Sequence, residues 1–288
     1  MPGEIHSNEN IFEIIGKQYK CLDKGFIRLV DIMGDDSSIV QAARVSYGKG
    51  TKTVHEDRGL IRYLMRHRHT SPFEMVELKF HIKLPIFVAR QWIRHRTANV
   101  NEYSGRYSEM KDEFYVPETE NIRPQSMTNK QGRSEESIPE DRAKRIAAGL
   151  QNTQVQLFHE YRSLLDKDVA RELARINLPL STYTEWYWKI DLHNLFHFLK
   201  LRLDDHAQYE IQVYAKRIGE LLKTALPLAW EAFEDYMLEA ASFSKNELKA
   251  IKLMLVGEEL NDELLESCGL KKRESEEFMR KYEKHLKA

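Results

Sequence analysis

The sequence predicts an α+β fold: a mostly antiparallel sheet flanked by long helices, followed by a C-terminal helical extension. Apolar and polar residues alternate along Met75–Lys83, as they do in a strand with one buried face. Other strand-like segments are separated by pairs of helices and form no regular βαβ series, which favours this class. Residues 243–288 combine a capping-box pattern, Ser244 with Glu247, with two helical segments.

The segments before the alternating strand predict a hairpin and two helices. Tyr19–Ile32 has two short apolar runs around an Asp-Lys-Gly turn, which is typical of a β-hairpin. Asp36 or Ser37 is placed to cap a helix that runs to about Tyr47. A second helix is expected over about residues 55–66, because its apolar residues share one face.

The segments after the strand predict a helix and two loops. Pro85 is suited to the start of a helix, which is expected to continue to about Arg96. The Asn-, Ser- and Gly-rich stretch Asn99–Met110 is expected to be a loop. Residues 117–140 contain three prolines and many polar residues, so they are expected to form an inserted surface loop.

The remaining pattern predicts more helices and one more strand. Asp168 is expected to cap a short helix. Tyr183–Ile190 is rich in aromatic and β-branched residues, as strands are, so it is expected to be a strand. Two more helices are expected, over Asp191–Leu203 and about Asp205–Ala225. A long amphipathic helix is expected over about 140–165. Its predicted inward residues are Ile146, Leu150, Leu157, Phe158, Tyr161, Leu164 and Leu165.

Composition excludes several classes of protein. The 288 residues are 42% hydrophobic and 31% charged, with a formal net charge of −1, so a broadly basic nucleic-acid surface is not expected. No apolar run approaches the ~20 residues needed to span a bilayer, and the first residues do not resemble a signal peptide. Cys21 and Cys268 are too few for a disulfide framework or a cysteine zinc site, which favours a reducing cytoplasm.

These patterns divide the chain into three parts. Residues 1–18 are polar and are expected to form a loosely ordered arm. Residues 19–242 are expected to form the catalytic domain, and residues 243–288 a helical extension.

Three polar segments are candidates for chemistry. His69–Glu74 lies between a predicted helix and the alternating strand, and by itself it is explained by an ordinary helix end followed by a Ser-Pro turn. Gln91–Arg96 leads into a loop that is dense in polar residues, beyond what a solvated helix end requires. The arginines of this second segment offer planar forks suited to a phosphate or a nucleobase edge.

The third segment spans Asp191–Glu210. His193 and His197 are four residues apart on one helix face, which is a spacing that can hold a metal, with Asp204 or His206 completing the ligand set. Hydrogen-bonded histidines are the more common outcome of such a spacing. No glycine-rich dinucleotide or phosphate loop occurs in the sequence, so a dinucleotide would be held by side chains.

The three segments resemble the flavin-dependent thymidylate synthases. The family signature, Arg-His-Arg, seven residues and Ser, occurs as Arg94-His95-Arg96, TANVNEY and Ser104, and it continues as Gly105-Arg106-Tyr107. The flanks RHRHTSPFE, FVARQWIRHR, ELARINLPLSTYTEWYW and LRLDDHAQYEI also resemble family blocks in the family order. The resemblance covers about residues 20–240.

This resemblance implies a methyltransferase that converts dUMP to dTMP. Methylenetetrahydrofolate is the implied carbon donor, and FAD, reduced by NADPH, is the implied hydride carrier. The family forms homotetramers whose active sites are shared between subunits. The positions that match its dUMP site are Gln91, Arg94, Glu102, Ser104, Gly105, Arg106, Arg175 and Arg202. The positions that match its FAD site are His69, Ser71, Glu74, Arg94, His95, Arg96, Glu102, Asp191, His193 and His197.

Arg94, Ser104 and Arg202 are the predicted catalytic residues. Arg94 and Arg202 are expected to bind the uracil edge, and Arg106 and Arg175 the phosphate. No cysteine is placed as a nucleophile, and no His–Asp pair is evident beside Ser104. We therefore expect Ser104 to bind and position the nucleotide.

Two other functions are consistent with parts of the sequence. A metal-dependent nucleotide hydrolase would use His193, His197, Asp204 and Asp205, and it would bind no flavin. A nucleic-acid-binding protein would use the clusters of arginine and histidine. The net charge of −1 and the acidic C-terminal segment argue against the second function.

Overall fold

The computed structural model describes residues 10–45, 54–127 and 131–287. Over these residues the sheet is antiparallel and five-stranded, which confirms the predicted α+β class. Its strands are β1 (Gln18–Cys21), β2 (Gly25–Met33), β3 (Glu77–Pro85), β4 (Asn99–Glu102) and β5 (Tyr183–Asp191). Their order is β1-β2-β3-β5-β4, so β5 pairs with β3 on one side and with β4 on the other.

The chain divides into two compact units, and the sheet lies in the first, Met1–Glu234. The helices described in this unit are α1 (Asn10–Ile14), α2 (Asp36–Arg44), α3 (Val54–Arg66), α4 (Ser71–Glu74), α5 (Ile86–Trp92), α6 (Glu140–Asp166), α7 (Arg171–Ala174), α8 (Leu192–Arg202), α9 (Tyr209–Ala225) and α10 (Pro227–Phe233). The hairpin β1–β2, the strand β5 and the helices α3, α6, α8 and α9 confirm the corresponding predictions. The sequence did not predict α4 or α10. No helix among the described residues is both long enough and apolar enough to cross a membrane.

The alternation in β3 gives the sheet one buried face. The predicted inward residues Val76, Leu78, Phe80 and Ile82 are all buried. Glu77, Lys79 and His81 are partly exposed, as predicted. Lys83 departs from the pattern, because it is buried and its Nζ donates to Glu113 Oε1 at 2.6 Å.

A group of large aromatic side chains forms the centre of the core. We call it the tryptophan cluster; its members are Trp92, Trp186, Trp188, Phe198 and Tyr214. The Trp92 ring lies 5.2 Å from Trp188, 4.7 Å from Phe198 and 5.9 Å from Tyr214. Each such pair adds about 0.5–1.5 kcal/mol beyond the burial of its area. The cluster therefore joins the end of α5 to β5, α8 and α9.

The helix α5 ends at Trp92, so the prediction that it continues to about Arg96 is wrong. The His95 N–H donates to Trp92 O at 3.0 Å and closes a turn. This turn is needed because Asn99–Glu102, predicted to be loop, is the edge strand β4 and must run antiparallel to β5. Arg94 therefore lies in the turn and does not share a helix face with Gln91.

The N-cap of α2 is Asp35, one residue before the predicted Asp36 or Ser37. Asp35 Oδ1 accepts from the Ser38 N–H at 3.0 Å, as an N-cap side chain does. The predicted end of this helix near Tyr47 lies outside the described residues.

Asp36 caps a different helix. Its two carboxylate oxygens accept from the N–H groups of Leu228 and Ala229, each at 2.9 Å, at the start of α10. Burial raises the pKa of Asp36 to about 6, although the two backbone hydrogen bonds favour its charged form. Asp36 thus ties α2 to α10.

Two further predictions about local structure are wrong. Asn10–Ile14, expected to belong to a loosely ordered arm, is a helix with Ile11 and Ile14 buried. Asp168 follows the end of α6 and does not cap α7: its φ is +60°, in the left-handed region that commonly follows a helix C-terminus, and the Val169 N–H donates to Leu164 O at 3.0 Å.

The predicted inward face of α6 is buried only in part. Tyr161 is buried, but Ile146 and Leu150 are 38% and 44% exposed. The buried part is the C-terminal part of this 27-residue helix, where Tyr161 packs with Met110 and Ala174, and Phe158, Leu164 and Leu165 pack against them. Ile146 and Leu150 lie nearer the other end of the helix, outside this cluster.

The second compact unit, Asp235–Ala288, is helical. Its helices are α11 (Lys245–Leu255), α12 (Asp262–Ser267) and α13 (Lys272–His285), after a π-helical turn at Glu234–Leu238. The predicted capping box is confirmed, since Ser244 Oγ accepts from the Glu247 N–H at 3.2 Å. This unit has its own apolar cluster, formed by Ala250, Leu265, Cys268, Leu270 and Phe278. The assignment of 19–242 as the catalytic domain and 243–288 as an extension stays a prediction.

The hairpin is packed too closely at Gly25 for a side chain. A Cβ there would lie 2.1 Å from Tyr214 Oη and 2.7 Å from Cys21 O. We predict that Gly25→Ala lowers the free energy of unfolding by about 1–3 kcal/mol. Gly149→Ala is the matched control: this helical glycine has nothing within 4 Å of a Cβ, so alanine should add about 1 kcal/mol. Equal effects of the two variants in denaturant unfolding would contradict this packing.

Candidate active site

Strand β5 fixes the start of the loop that carries Ser104. We call Tyr103–Met110 the serine loop. In β4, which leads into it, Glu102 lies opposite Trp186 of β5, and the Tyr103 N–H donates to Glu185 O at 2.8 Å. Glu102 Oε1 also accepts from Thr184 Oγ1 at 2.8 Å. The serine loop therefore leaves the sheet edge in a defined direction.

Ser104 is half-buried within a tight turn. Its Oγ accepts from the Arg106 N–H at 3.3 Å, and its carbonyl accepts from the N–H groups of Tyr107 and Ser108. No histidine or carboxylate among the described residues contacts Ser104 Oγ. Within the described residues this hydroxyl therefore has no general base, and its binding role stays a prediction.

Gly105 lies directly against Arg175, at the end of α7. A Cβ on Gly105 would be 3.2 Å from Arg175 Cδ and 2.8 Å from Met110 Sδ. The absence of a side chain therefore lets the arginine approach the backbone of the serine loop. Two predicted nucleotide-binding positions that are 70 residues apart in sequence are brought together here.

Arg106 lies at the same place, and its charge is already balanced. Arg106 Nε is 3.2 Å from Glu172 Oε2, and both side chains are more than half exposed. An exposed ion pair of this kind is worth at most about 1 kcal/mol. This ion pair is therefore weak enough for a phosphate dianion to displace the carboxylate from Arg106 at little cost.

His95 and Arg202 form the second group of predicted residues that the fold brings together. Arg202 Nε donates to His95 Nε2 at 3.1 Å, so the imidazole carries its own proton on Nδ1. The His95 ring lies 4.9 Å from Phe198 and 6.1 Å from His197. Arg94 and Arg96, which flank His95, are exposed.

The surroundings of His95 keep it neutral. Burial, followed by the positive charge of Arg202 and the neighbouring His197, together lower the pKa of His95 to about 4. Burial also lowers the pKa of Arg202, although an arginine stays charged in proteins. The pair thus offers one fixed cation and one neutral imidazole.

The predicted flavin positions of the first and third segments lie on or beside two elements that pack together, α4 and α8. Phe73 of α4 and Phe196 of α8 have ring centroids 6.4 Å apart, and the Leu192 N–H donates to Val76 O at 2.8 Å. Of these positions, His69, Ser71, Glu74 and His197 are exposed and His193 is half-buried.

Asp191 has a structural task in addition to its predicted one. It is the N-cap of α8, accepting from the Asn194 N–H at 2.9 Å and from Asn194 Nδ2 at 2.7 Å.

Gln91 has an acceptor without a partner: its Oε1 is buried and makes no hydrogen bond among the described residues. Such an atom is costly unless a ligand satisfies it.

The ligand set of the metal-dependent alternative is not assembled. Among the described residues, no group of three or more His, Cys, Asp or Glu side chains is arranged to hold a metal ion. Asp204 Oδ1 lies 2.9 Å from His206 Nδ1, but both side chains are largely exposed. His193 and His197 lie on α8, which packs against α4.

Several residues that support the site were not predicted. Thr184 holds Glu102, Glu172 pairs with Arg106, and Tyr161 Oη accepts from the Met110 N–H at 2.9 Å. Two features of the sequence could have indicated such supporting residues: the threonine among the aromatic residues of β5, and the charged segment Arg171–Arg175. Tyr161 gave no such signal, because a buried tyrosine on an amphipathic helix resembles any other core residue.

Known proteins are similar to this chain in sequence and in structure. Residues 28–228 match the family described as thymidylate synthase complementing protein. The flavin-dependent thymidylate synthase of Treponema denticola is 58% identical over 265 residues, which is 92% of this chain and 97% of that protein. The enzyme of the same name from Rickettsia conorii is 54% identical over 280 residues, covering 93% of this chain and 94% of that protein.

A solved structure is similar as well. The UMP/dUMP methylase PolB from Streptomyces cacaoi, bound with 5-Br dUMP, has a TM-score of 0.69 and 34% sequence identity, covering 76% of this chain and 99% of that chain. The chain described here belongs to the flavin-dependent thymidylate synthase family, and it is an enzyme of that family.

The neutral state of His95 makes a testable contribution to stability. Between pH 6.5 and about 4 the unfolded chain binds a proton at this position and the folded chain does not, so the contribution is lost as the pH falls through this window. We predict that Arg202→Met raises the pKa of His95 towards 6.5, because one of the two charges that oppose protonation is removed.

Histidine ring NMR during a pH titration measures this pKa, with His95→Gln assigning the signal. A pKa near 6.5 in the unsubstituted protein would contradict the described environment, and so would no change in Arg202→Met.

Proposed function

We propose that this chain is a thymidylate synthase that converts dUMP to dTMP, with methylenetetrahydrofolate as carbon donor and with FAD, reduced by NADPH, as hydride carrier. The observation that carries the proposal is the meeting of Gly105, Arg106 and Arg175 at the serine loop. This meeting supplies two arginine forks to a dianionic phosphate. Relatives named flavin-dependent thymidylate synthase, and a similar methylase bound with 5-Br dUMP, support the same substrate.

The other nucleotide positions have distinct roles in this proposal. Arg94 and Arg202 bind the uracil edge and stabilise negative charge that develops on the ring. Gln91 offers its unused Oε1 to a donor on the nucleotide, which would remove the cost of burying it. Ser104 and Glu102 orient the nucleotide, and Thr184 keeps the Glu102 carboxylate in place.

The residues on or beside α4 and α8 fit FAD in the chemistry of their donors. Imidazole, hydroxyl and guanidinium groups suit a diphosphate, and carboxylates suit ribose or ribityl hydroxyls. The groups that would hold FAD are His69, Ser71, Glu74, Arg94, His95, Arg96, Glu102, Asp191, His193 and His197. When bound, FAD supplies hydride-transfer chemistry that no side chain provides. His95, held neutral, would present its Nδ1–H as a donor.

No enzyme cysteine takes part in the proposed reaction. Cys21 is buried in β1, and burial raises the pKa of its thiol to about 12, far from that of a reactive thiolate. Cys268 is buried in the core of the second unit. Two reduced, buried cysteines also agree with a cytoplasmic enzyme. We further propose a homotetramer with active sites shared between subunits, as the family resemblance implies.

An omission assay tests the proposed reaction. The purified chain should form dTMP from dUMP when FAD, NADPH and methylenetetrahydrofolate are all present, and dTMP should fall to background when any one is left out. Chromatographic detection of dTMP is the direct readout. Formation of dTMP without the folate, or release of phosphate or uracil in place of dTMP, would contradict the assignment.

Ser104→Ala and Arg94→Ala separate a binding role from transition-state stabilisation. We predict that Ser104→Ala keeps measurable turnover with a raised KM for dUMP, because its hydroxyl only binds and positions. Arg94→Ala should lower kcat/KM by about 100-fold or more, as removal of a charge-stabilising donor does.

Steady-state kinetics, with FAD and dUMP binding measured separately, checks both results. Complete loss of turnover in Ser104→Ala with normal binding would identify a nucleophile. Near-normal turnover of Arg94→Ala would remove it from the catalytic residues.

A further inference from the structure

Glu210 is a buried carboxylate in the first turn of α9, and three separate segments converge on it. Arg133 forms an ion pair with its Oε1, and Tyr115 Oη donates to the same oxygen at 3.0 Å. Gln208 Nε2 donates to its Oε2 at 2.8 Å. Glu210 is only 3% exposed, so its charge requires these partners.

Two of the partners of Glu210 lie close in sequence to predicted nucleotide-binding residues, one after the serine loop and one after Arg202. Tyr115 lies five residues beyond the end of the serine loop. Gln208 ends the turn Leu203–Gln208, which directly follows Arg202. Glu210 therefore connects the segment that follows the serine loop to the turn that follows Arg202.

The turn after Arg202 is also braced by α9. Gln212 Nε2 donates to Asp204 O at 2.8 Å and to Ala207 O at 2.9 Å. The position of the first turns of α9 therefore sets the position of this turn, and with it the C-terminal end of α8 where Arg202 lies. A shift of Glu210 would be transmitted to Arg202 through a few backbone bonds.

Arg133 belongs to the 117–140 insertion, to which the proposed reaction assigns no task. Its Nη1 donates to Asn121 O at 2.8 Å while Nη2 pairs with Glu210, and its guanidinium lies 5.4 Å from the centroid of the Tyr209 ring. Gln125 and Arg133 also form a β-bridge within the insertion. The planar guanidinium group of Arg133 thus binds two partners at once through Nη1 and Nη2, which the single ammonium group of a lysine cannot reproduce.

We propose that Arg133 is a positioning residue: by pairing with Glu210 it holds the Leu203–Gln208 turn, and hence Arg202, in register with the serine loop. The consequence for dUMP turnover rests on the proposed function. The consequence for the Arg202–His95 contact does not, because that contact is present in the protein without any ligand.

Arg133→Gln tests the proposal, with Arg123→Gln as the matched control. Arg123 lies in the same insertion, but it is exposed, and within the described part of the chain it donates only to Glu120 O. In Arg133→Gln we expect Arg202 to move away from His95, so the pKa of His95 should rise from about 4 towards 6.5. The control should leave this pKa unchanged. A loss of global stability alone would not change the pKa of His95 in the folded protein.

Kinetics gives the second readout. Misplacing Arg202 by about 1 Å should lower kcat/KM for dUMP by about 100-fold in Arg133→Gln, with FAD binding retained. Arg133→Lys keeps the charge but not the fork, so we expect an intermediate value for both kcat/KM and the pKa of His95. If Arg133→Gln does not fold, Arg133→Lys and the double variant Arg133→Gln with Glu210→Gln replace it. The double variant removes both charges together.

The proposal is overturned if a folded Arg133→Gln variant has an unchanged His95 pKa, whatever its activity. It is also overturned if Arg123→Gln raises that pKa equally, since the effect would then belong to the whole insertion. The two proposals can fail separately. If the unsubstituted protein makes no dTMP, and the pKa of His95 rises in Arg133→Gln but not in Arg123→Gln, the proposed function has failed and the positioning role stands.

Discussion

Trp92 is fully buried, and its indole ring packs on Trp188 of β5, Phe198 of α8 and Tyr214 of α9. The Arg-His-Arg segment begins two residues after Trp92, and Arg202 follows Phe198 by one helical turn. Because protein interiors are close-packed, neither the Arg-His-Arg segment nor the end of α8 that carries Arg202 can shift without disrupting this cluster. The contact between His95 and Arg202 is therefore a consequence of aromatic packing directly beneath it.

The second constraint is the pairing of β5 along both of its edges. On one edge it pairs with β3, and on the other it positions β4 and the start of the serine loop. Beyond that loop, Lys111 Nζ donates to Glu185 Oε1 at 2.9 Å, so the loop is fastened to the same strand at both ends. The residues proposed to bind the nucleotide on this loop are thus held in register with one strand.

The sequence predicts the strand β3 and the long helices well, because their hydrophobic periods are regular over many residues. It fails at α5 and β4, where polar residues after a helix are compatible with loop, helix or edge strand until a partner strand is known. Through the family resemblance, the sequence assigns Arg94, Ser104 and Arg202 to one predicted active site. It cannot reveal that Arg202 contacts His95, that Gly105 lies against Arg175 or that Arg133 neutralises Glu210, since each contact depends on the packing of distant segments.

The visible absorption spectrum of the purified full-length protein with FAD, recorded before and after dUMP is added, tests the central claim most directly. That claim is that nucleotide and flavin meet at one site built on β5. The account predicts an oxidised-flavin spectrum that dUMP perturbs in a saturable manner, because the two ligands share Arg94 and are joined through His95 and Arg202. A protein that binds no FAD, or a flavin spectrum that saturating dUMP leaves unchanged, would contradict it.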